Sequence, residues 1–243
     1  HHDVIRRQRQ MCIRDSISDQ KKKFSINPMS YPILYSFKRC PYAMRARMAL
    51  QLAEIKCEIR EIRLSNKPEH MLEVSPKGTV PILILEDKVI DESYDIVNWI
   101  IEESNIFNDN LGSEQIDLTE SLIKRFDDEF KYHLDRYKYA TRYENTDSEF
   151  HRAKCLKVLI DLETIVSKGK WMFGEELNKL DISILPFIRQ FRIANPEWFD
   201  SLEEISRIKN ILKNYLDSEE FKKVMFKYDE WQLGAKPVYF PQT

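Results

Sequence analysis

Cys40 is the residue best placed to do chemistry in this chain. It stands between a short apolar run, Ile33 to Phe37, and a helical pattern opened by Pro41, within ILYSFKRCPYAMRARMALQL. Proline is favoured at the first helical position because its missing N–H would have no partner there in any case. The helix therefore begins within a residue of the sulfur. Free N–H groups and the positive end of the helix dipole then face Cys40 and favour a thiolate, the form that attacks disulfides and electrophilic carbon. Lys38, Arg39, Arg45 and Arg47 argue for an electropositive, partly exposed position. The same residue types also suit a small, buried, inert cysteine, and taken alone they leave both readings open.

Other chemistries find little support. The four cysteines, Cys12, Cys40, Cys57 and Cys155, are scattered without a CxxC pair, which argues against a disulfide framework or a zinc site and for a reducing, cytoplasmic setting. Cys57 and Cys155 read as packing residues. His1, His2, His70, His133 and His151 show no ligand spacing, so no metal is expected. The net charge of −2, with acids and bases interspersed, gives no footprint for nucleic acid or an anionic membrane. No run approaches the roughly 18 apolar residues of a membrane helix.

The elements that must hold Cys40 follow from periodicity. A strand at 33–37 and a helix at 41–54 lead to a strand at 58–64, a turn at Pro68 and a short helix at 69–73. TVPILILEDKVIDES then predicts a hairpin, with strands at 82–85 and 89–90 about a tight turn. Ser93 caps a helix whose Ile96, Val97, Ile100 and Ile101 recur at helical spacing. The order βαβ, α, ββ, α describes a compact sheet between helices. Beyond a polar linker the pattern is helical. Leu118, Leu122, Phe126, Phe130 and Leu134 form one stripe, and Phe150, Ala153, Leu156, Ile160 and Leu162 another that stops at Gly169. Asn178 with Asp181 suggests a capping box, and Pro186 a kink. Two last helices are expected at 201–216 and 218–228, with no strand after Ile90.

With 42% hydrophobic content in 243 residues, two modest cores are favoured over one. The boundaries drawn are an extension at 1–28, a first domain at 29–104, a linker at 105–117 and an all-helical domain at 118–243. Residues 1–28 show no sustained period and carry seven basic residues among the first 23. They are expected to be disordered or non-native, and VIRRQRQMCIRDS resembles translated sequencing-adaptor read-through. The native chain is expected to begin at Met29.

From Tyr31 to about Pro241 the residues and the order of elements together resemble the cytosolic glutathione S-transferases. CPYA at 40–43 is similar to the cysteine motif of the omega class and of two-domain glutaredoxin relatives. NKPE at 66–69, GTVP at 78–81 and DES at 91–93 are similar to that class's glutathione-contacting motifs. The resemblance implies an α/β thioredoxin-like N-terminal domain with an all-α C-terminal bundle. It also implies glutathione as co-substrate, with Cys40 as catalytic residue. Lys67 would take the glycyl carboxylate, Val80 would pair with the cysteinyl backbone beside a cis Pro81, and Glu92 and Ser93 would hold the γ-glutamyl end. Simpler readings stand beside these: a turn at Val80–Pro81, an N-cap at Ser93, a solvated charge at Lys67.

A dithiol mechanism would need a cysteine where Ala43 stands, so the implied chemistry is monothiol. It would be thioltransferase, deglutathionylation or dehydroascorbate reduction on a small disulfide or electrophile. A non-catalytic glutathione-binding module and a conjugating transferase are the alternatives. Conjugating relatives use a Ser or Tyr hydroxyl, but Tyr35 and Ser36 lie inside the strand. Tyr132, Arg136, Tyr139 and Trp231 are candidates for the second-substrate pocket. A homodimer is expected from the family.

Overall fold

A computed structural model describes residues 31–107 and 112–242. The expectations for residues 1–28, including Cys12, His1 and His2, and for the middle of the 105–117 linker fall outside the described residues. The sheet is built from β1 (Ile33–Ser36), β2 (Cys57–Glu61), β3 (Ile82–Ile84), β4 (Val89–Ile90) and β5 (Tyr239–Phe240), in the order β4-β3-β1-β2-β5. β1 and β2 are parallel, as expected for strands joined through a crossover helix, and the remaining pairs are antiparallel.

Alternation along β1 decides what each face meets. Leu34 points into the large core, shared with α1 (Pro41–Leu52) and α3 (Ser93–Ser104). Ile33 and Tyr35 point the other way, into a smaller cluster with Met71 of α2 (Glu69–Val74), Val80 and Trp231. Cys40 belongs to this second cluster.

The helical part comprises α4 (Ser113–Arg125), a π-helical segment Phe126–Phe130, α5 (Lys131–Lys138), α6 (Ser148–Glu163), α7 (Lys179–Ala194), α8 (Pro196–Ser201), α9 (Ser206–Asp217) and α10 (Glu219–Val224). A strict four-residue repeat drifts about 40° per step on an α-helix. The wider π turn at the middle of the stripe compensates, so Leu122, Phe126, Phe130 and Leu134 all stay buried and Phe126 stacks on Phe130 at 4.6 Å. The capping box forms as expected: Asn178 accepts from the N–H of Leu180 and Asp181, and Asp181 accepts from Asn178. α7 runs on unbroken through Pro186.

Several expectations need correction. The buried stripe of α6 is His151, Cys155, Val158, Leu159 and Leu162, whereas Phe150 and Ile160 are exposed. The true face keeps helical spacing but is rotated from the one read from large apolar residues. α6 ends at Glu163; Gly169 instead lies where a Cβ would meet the Gly174 carbonyl oxygen at 2.4 Å. Pro196 opens a separate short helix, and α10 stops at Val224. Most consequentially, a strand does follow Ile90. Tyr239 and Phe240 pair with Glu58 and Cys57, so the tail returns to extend the sheet. Two residues are too few to show alternation, and the pairing joins Cys57 to the distant Phe240.

Candidate functional site

The turn Phe37–Cys40 is held from several directions. The Cys40 N–H donates to the Phe37 carbonyl at 2.9 Å, and the Lys38 N–H donates to Glu61 Oε1 at 2.5 Å. The other Glu61 oxygen accepts from Arg47 at 2.6 Å. Gln190 of α7 donates to the Arg39 carbonyl at 2.9 Å. Cys40 itself is the extended N-cap of α1, with Pro41 at the first turn.

Its thiol is half-buried and donates to the Val80 carbonyl, with Sγ 3.6 Å from the oxygen. The Val80–Pro81 peptide bond is cis. Cys40 and Val80, 40 residues apart in sequence, therefore meet beside Pro81. The surroundings do not favour the expected thiolate. Burial pushes the Cys40 thiol up, outweighing the N–H groups of Ala43 and Tyr42 and the charges of Lys131 and Arg45, all of which pull it down. The helix start acts as foreseen, but desolvation of the charged form is larger.

Arg45 and Arg47 do not form the exposed basic surround expected of them. Both are fully buried. Arg47 is paired with Glu61, and Arg45 with Asp127 at 2.7 Å and with the Ser183 carbonyl. Arg45 also donates to Ser93 Oγ at 3.2 Å. Ser93, 5% exposed, thus touches an interior cation. Glu92 is the exposed N-cap of α3 and is ion-paired at 2.7 Å with Lys77, a residue sequence spacing gave no reason to single out. Lys67 is exposed, and its Nζ lies 3.2 Å from where a Cβ on Gly78 would stand, so it reaches back to the GTVP stretch.

The pocket candidates separate. Trp231 joins the Cys40 cluster, donates its backbone N–H to the Glu61 carbonyl, and lines a cleft of about 450 Å³ with Asn66, Lys67 and His70. Tyr132 instead stacks on Arg136 at 3.5 Å, and Tyr139 carries Arg142 at 4.2 Å. Lys131 and Gln190, both acting on the Cys40 turn, were missed because α5 and α7 are remote in sequence.

Residues 34–106 match the glutathione S-transferase N-terminal domain. Glutathione S-transferase L1 of Arabidopsis thaliana is 30% identical over 173 residues, which cover 68% of this chain and 69% of that one. The chain belongs to the glutathione S-transferase family. Mouse glutathione S-transferase omega-1 is 44% identical over a shorter stretch of 50 residues, 21% of each chain. A glutathione transferase family member from Pseudomonas fluorescens, solved with two glutathione bound, has the same fold. Its TM-score is 0.70 at 15% identity, covering 81% of this chain and 92% of that one.

In this glutathione S-transferase the Tyr35 hydroxyl is engaged by His70 at 2.8 Å and Arg60 at 2.9 Å, so it is committed to the neighbouring side chains. Among the described residues no group of three or more His, Cys, Asp or Glu is placed to hold a metal ion. No described helix is long and apolar enough to cross a membrane.

Proposed function

We propose that this glutathione S-transferase is a glutathione-dependent monothiol thioltransferase with Cys40 as nucleophile. The observation that carries the reading is the 3.6 Å contact between Cys40 Sγ and the Val80 carbonyl, next to the cis bond at Pro81. Glutathione docks as an added strand along Val80, its glycyl carboxylate toward Lys67 and its γ-glutamyl end toward Glu92 and Ser93 at the start of α3.

Docking also activates the thiol. When the cysteinyl N–H of glutathione takes the Val80 carbonyl, the Cys40 S–H loses that acceptor. The sulfur is left facing the N–H groups of Tyr42 and Ala43, which favour the thiolate. Cys40 attacks the glutathionyl sulfur of a mixed disulfide, the substrate leaves as its thiolate, and a Cys40–glutathione disulfide remains. Ala43 supplies no resolving thiol. A second glutathione thiolate therefore attacks the bound glutathione sulfur, returning Cys40 and releasing glutathione disulfide. Deglutathionylation and dehydroascorbate reduction use the same nucleophile. The three described cysteines are free, which suits a reducing, cytoplasmic setting, and the proposed assembly is the homodimer of the family.

The upward push on the Cys40 thiol favours a second reading, in which the cysteine is inert and the chain binds or conjugates glutathione. Brief exposure to glutathione disulfide followed by peptide mass mapping separates the two. A +glutathione adduct on Cys40, absent from Cys57 and Cys155, together with thioltransferase activity lost in Cys40→Ser, supports the proposal. No adduct, or activity retained in Cys40→Ser, overturns it.

A further inference from the structure

The buried cations of this protein are matched by acids: Arg45 by Asp127, Arg47 by Glu61. Beside the Cys40 turn lies a group of less buried cations without such a match. Gln190 is only 6% exposed, and both ends of its amide are used. Its Nε2 donates to the Arg39 carbonyl at 2.9 Å, and its Oε1 accepts from Lys138 Nζ. This buried amide thus ties the Lys138 ammonium to the residue that precedes Cys40. Arg189, next to Gln190 on α7, is half-buried, its guanidinium 5.6 Å from the Phe221 ring. Arg39 is exposed, its guanidinium 5.2 Å from the Phe37 ring.

None of Arg39, Lys138 and Arg189 has a carboxylate within ion-pair distance among the described residues. The nearby acid, Asp135, is bonded to Lys131. The cations feel one another: after burial, the charges of Arg189 and Arg39 are what hold Lys138 below its usual value. Like charges gathered in a partly desolvated place are unfavourable unless an anion joins them.

We propose that Arg39, Lys138 and Arg189, carried on segments that the buried amide of Gln190 ties to the Cys40 turn, form an anion-accepting subsite beside Cys40. It selects second substrates that carry a carboxylate or similar acidic group near the disulfide or reactive carbon. The proposal rests on Cys40 being the nucleophile and adds a substrate class to it.

Two small alkylating agents of similar shape test this directly. Iodoacetate is an anion and iodoacetamide is neutral; each loses iodide to a thiolate and leaves a thioether. The ratio of their rates at Cys40 divides out thiol ionisation and access, which affect both. Free glutathione provides the reference ratio. At Cys40 the iodoacetate-to-iodoacetamide ratio is expected to exceed that reference several-fold and to fall as salt is raised. Lys138→Gln and Arg189→Gln should each lower it roughly threefold, the scale of one partly exposed ion pair, and Lys138→Arg should restore it. A ratio equal to that of free glutathione, or one indifferent to both neutral substitutions, overturns the subsite while leaving Cys40 as nucleophile. Failure of both reagents to modify Cys40 overturns the nucleophile assignment and the subsite with it.

Discussion

Arg45 of α1 grips Asp127 of the π segment through two parallel hydrogen bonds, at 2.7 and 3.0 Å, from a guanidinium with no exposed surface. Its remaining bonds go to the Ser183 carbonyl and Ser93 Oγ. One side chain thus joins the nucleophile's helix, the start of α3 and two segments of the helical part. Removing one partner of such a pair leaves an uncompensated charge, which costs more than the pair itself contributes. Asp127→Leu, which leaves the fully buried Arg45 guanidinium without its carboxylate, should destabilise the chain by about 3 to 5 kcal/mol, and Asp127→Leu with Arg45→Leu by less than the sum. Denaturant titration of the two variants measures both.

The Cys40 thiol gives a pH prediction. Because burial holds it above its ordinary value, alkylation of the free protein by iodoacetamide should reach half its limiting rate at a pH above that of an unperturbed thiol, about 8.5. S-methylglutathione, which has no thiol to react, should move that midpoint down by occupying the Val80 carbonyl. A midpoint unmoved by saturating S-methylglutathione would show that docking does not activate the cysteine.

The tail strand can be tested through the residue opposite it. Phe240 is fully buried and sits in register with Cys57. Phe240→Ala should cost about 3 to 5 kcal/mol, as for other large-to-small core changes. It should also expose Cys57, whose thiol burial pushes up to about 12, to thiol reagents. Hydrogen exchange along β2 provides an independent readout, since the Ile59 N–H donates to the Val238 carbonyl.

A histidine pair gives a second pH prediction. His133 and His151 meet through their Nδ1 atoms at 2.7 Å, which requires one ring to donate and the other to accept. Burial holds both below the ordinary histidine value, and each imidazolium opposes a neighbour: His151 for His133, Arg136 for His151. A depressed folded value means the contribution is complete above the unfolded value, about 6.5, and is lost as pH falls through the folded one. Melting temperature should therefore drop on acidification through this range. His151→Gln should flatten the dependence while lowering stability at neutral pH.

The amino-acid sequence by itself determined the local features of this protein. Pro41 set the helix start at Cys40, Asn178 and Asp181 set the start of α7, short apolar runs between turn signals marked β1 and β3, and Ala43 removed a second thiol from the motif. These are written over a few neighbouring residues, where propensity and capping act directly. Tertiary structure decided what those features add up to. It turned Arg45 and Arg47 from an apparent basic surface into buried pairs. It returned Tyr239 and Phe240 to the sheet edge, brought Gln190, Lys131 and Val80 to the cysteine, and occupied Glu92 with Lys77. Most of all it reversed the expected balance at Cys40, because a helix start acts on the sulfur from adjacent residues, whereas desolvation depends on every group packed around it.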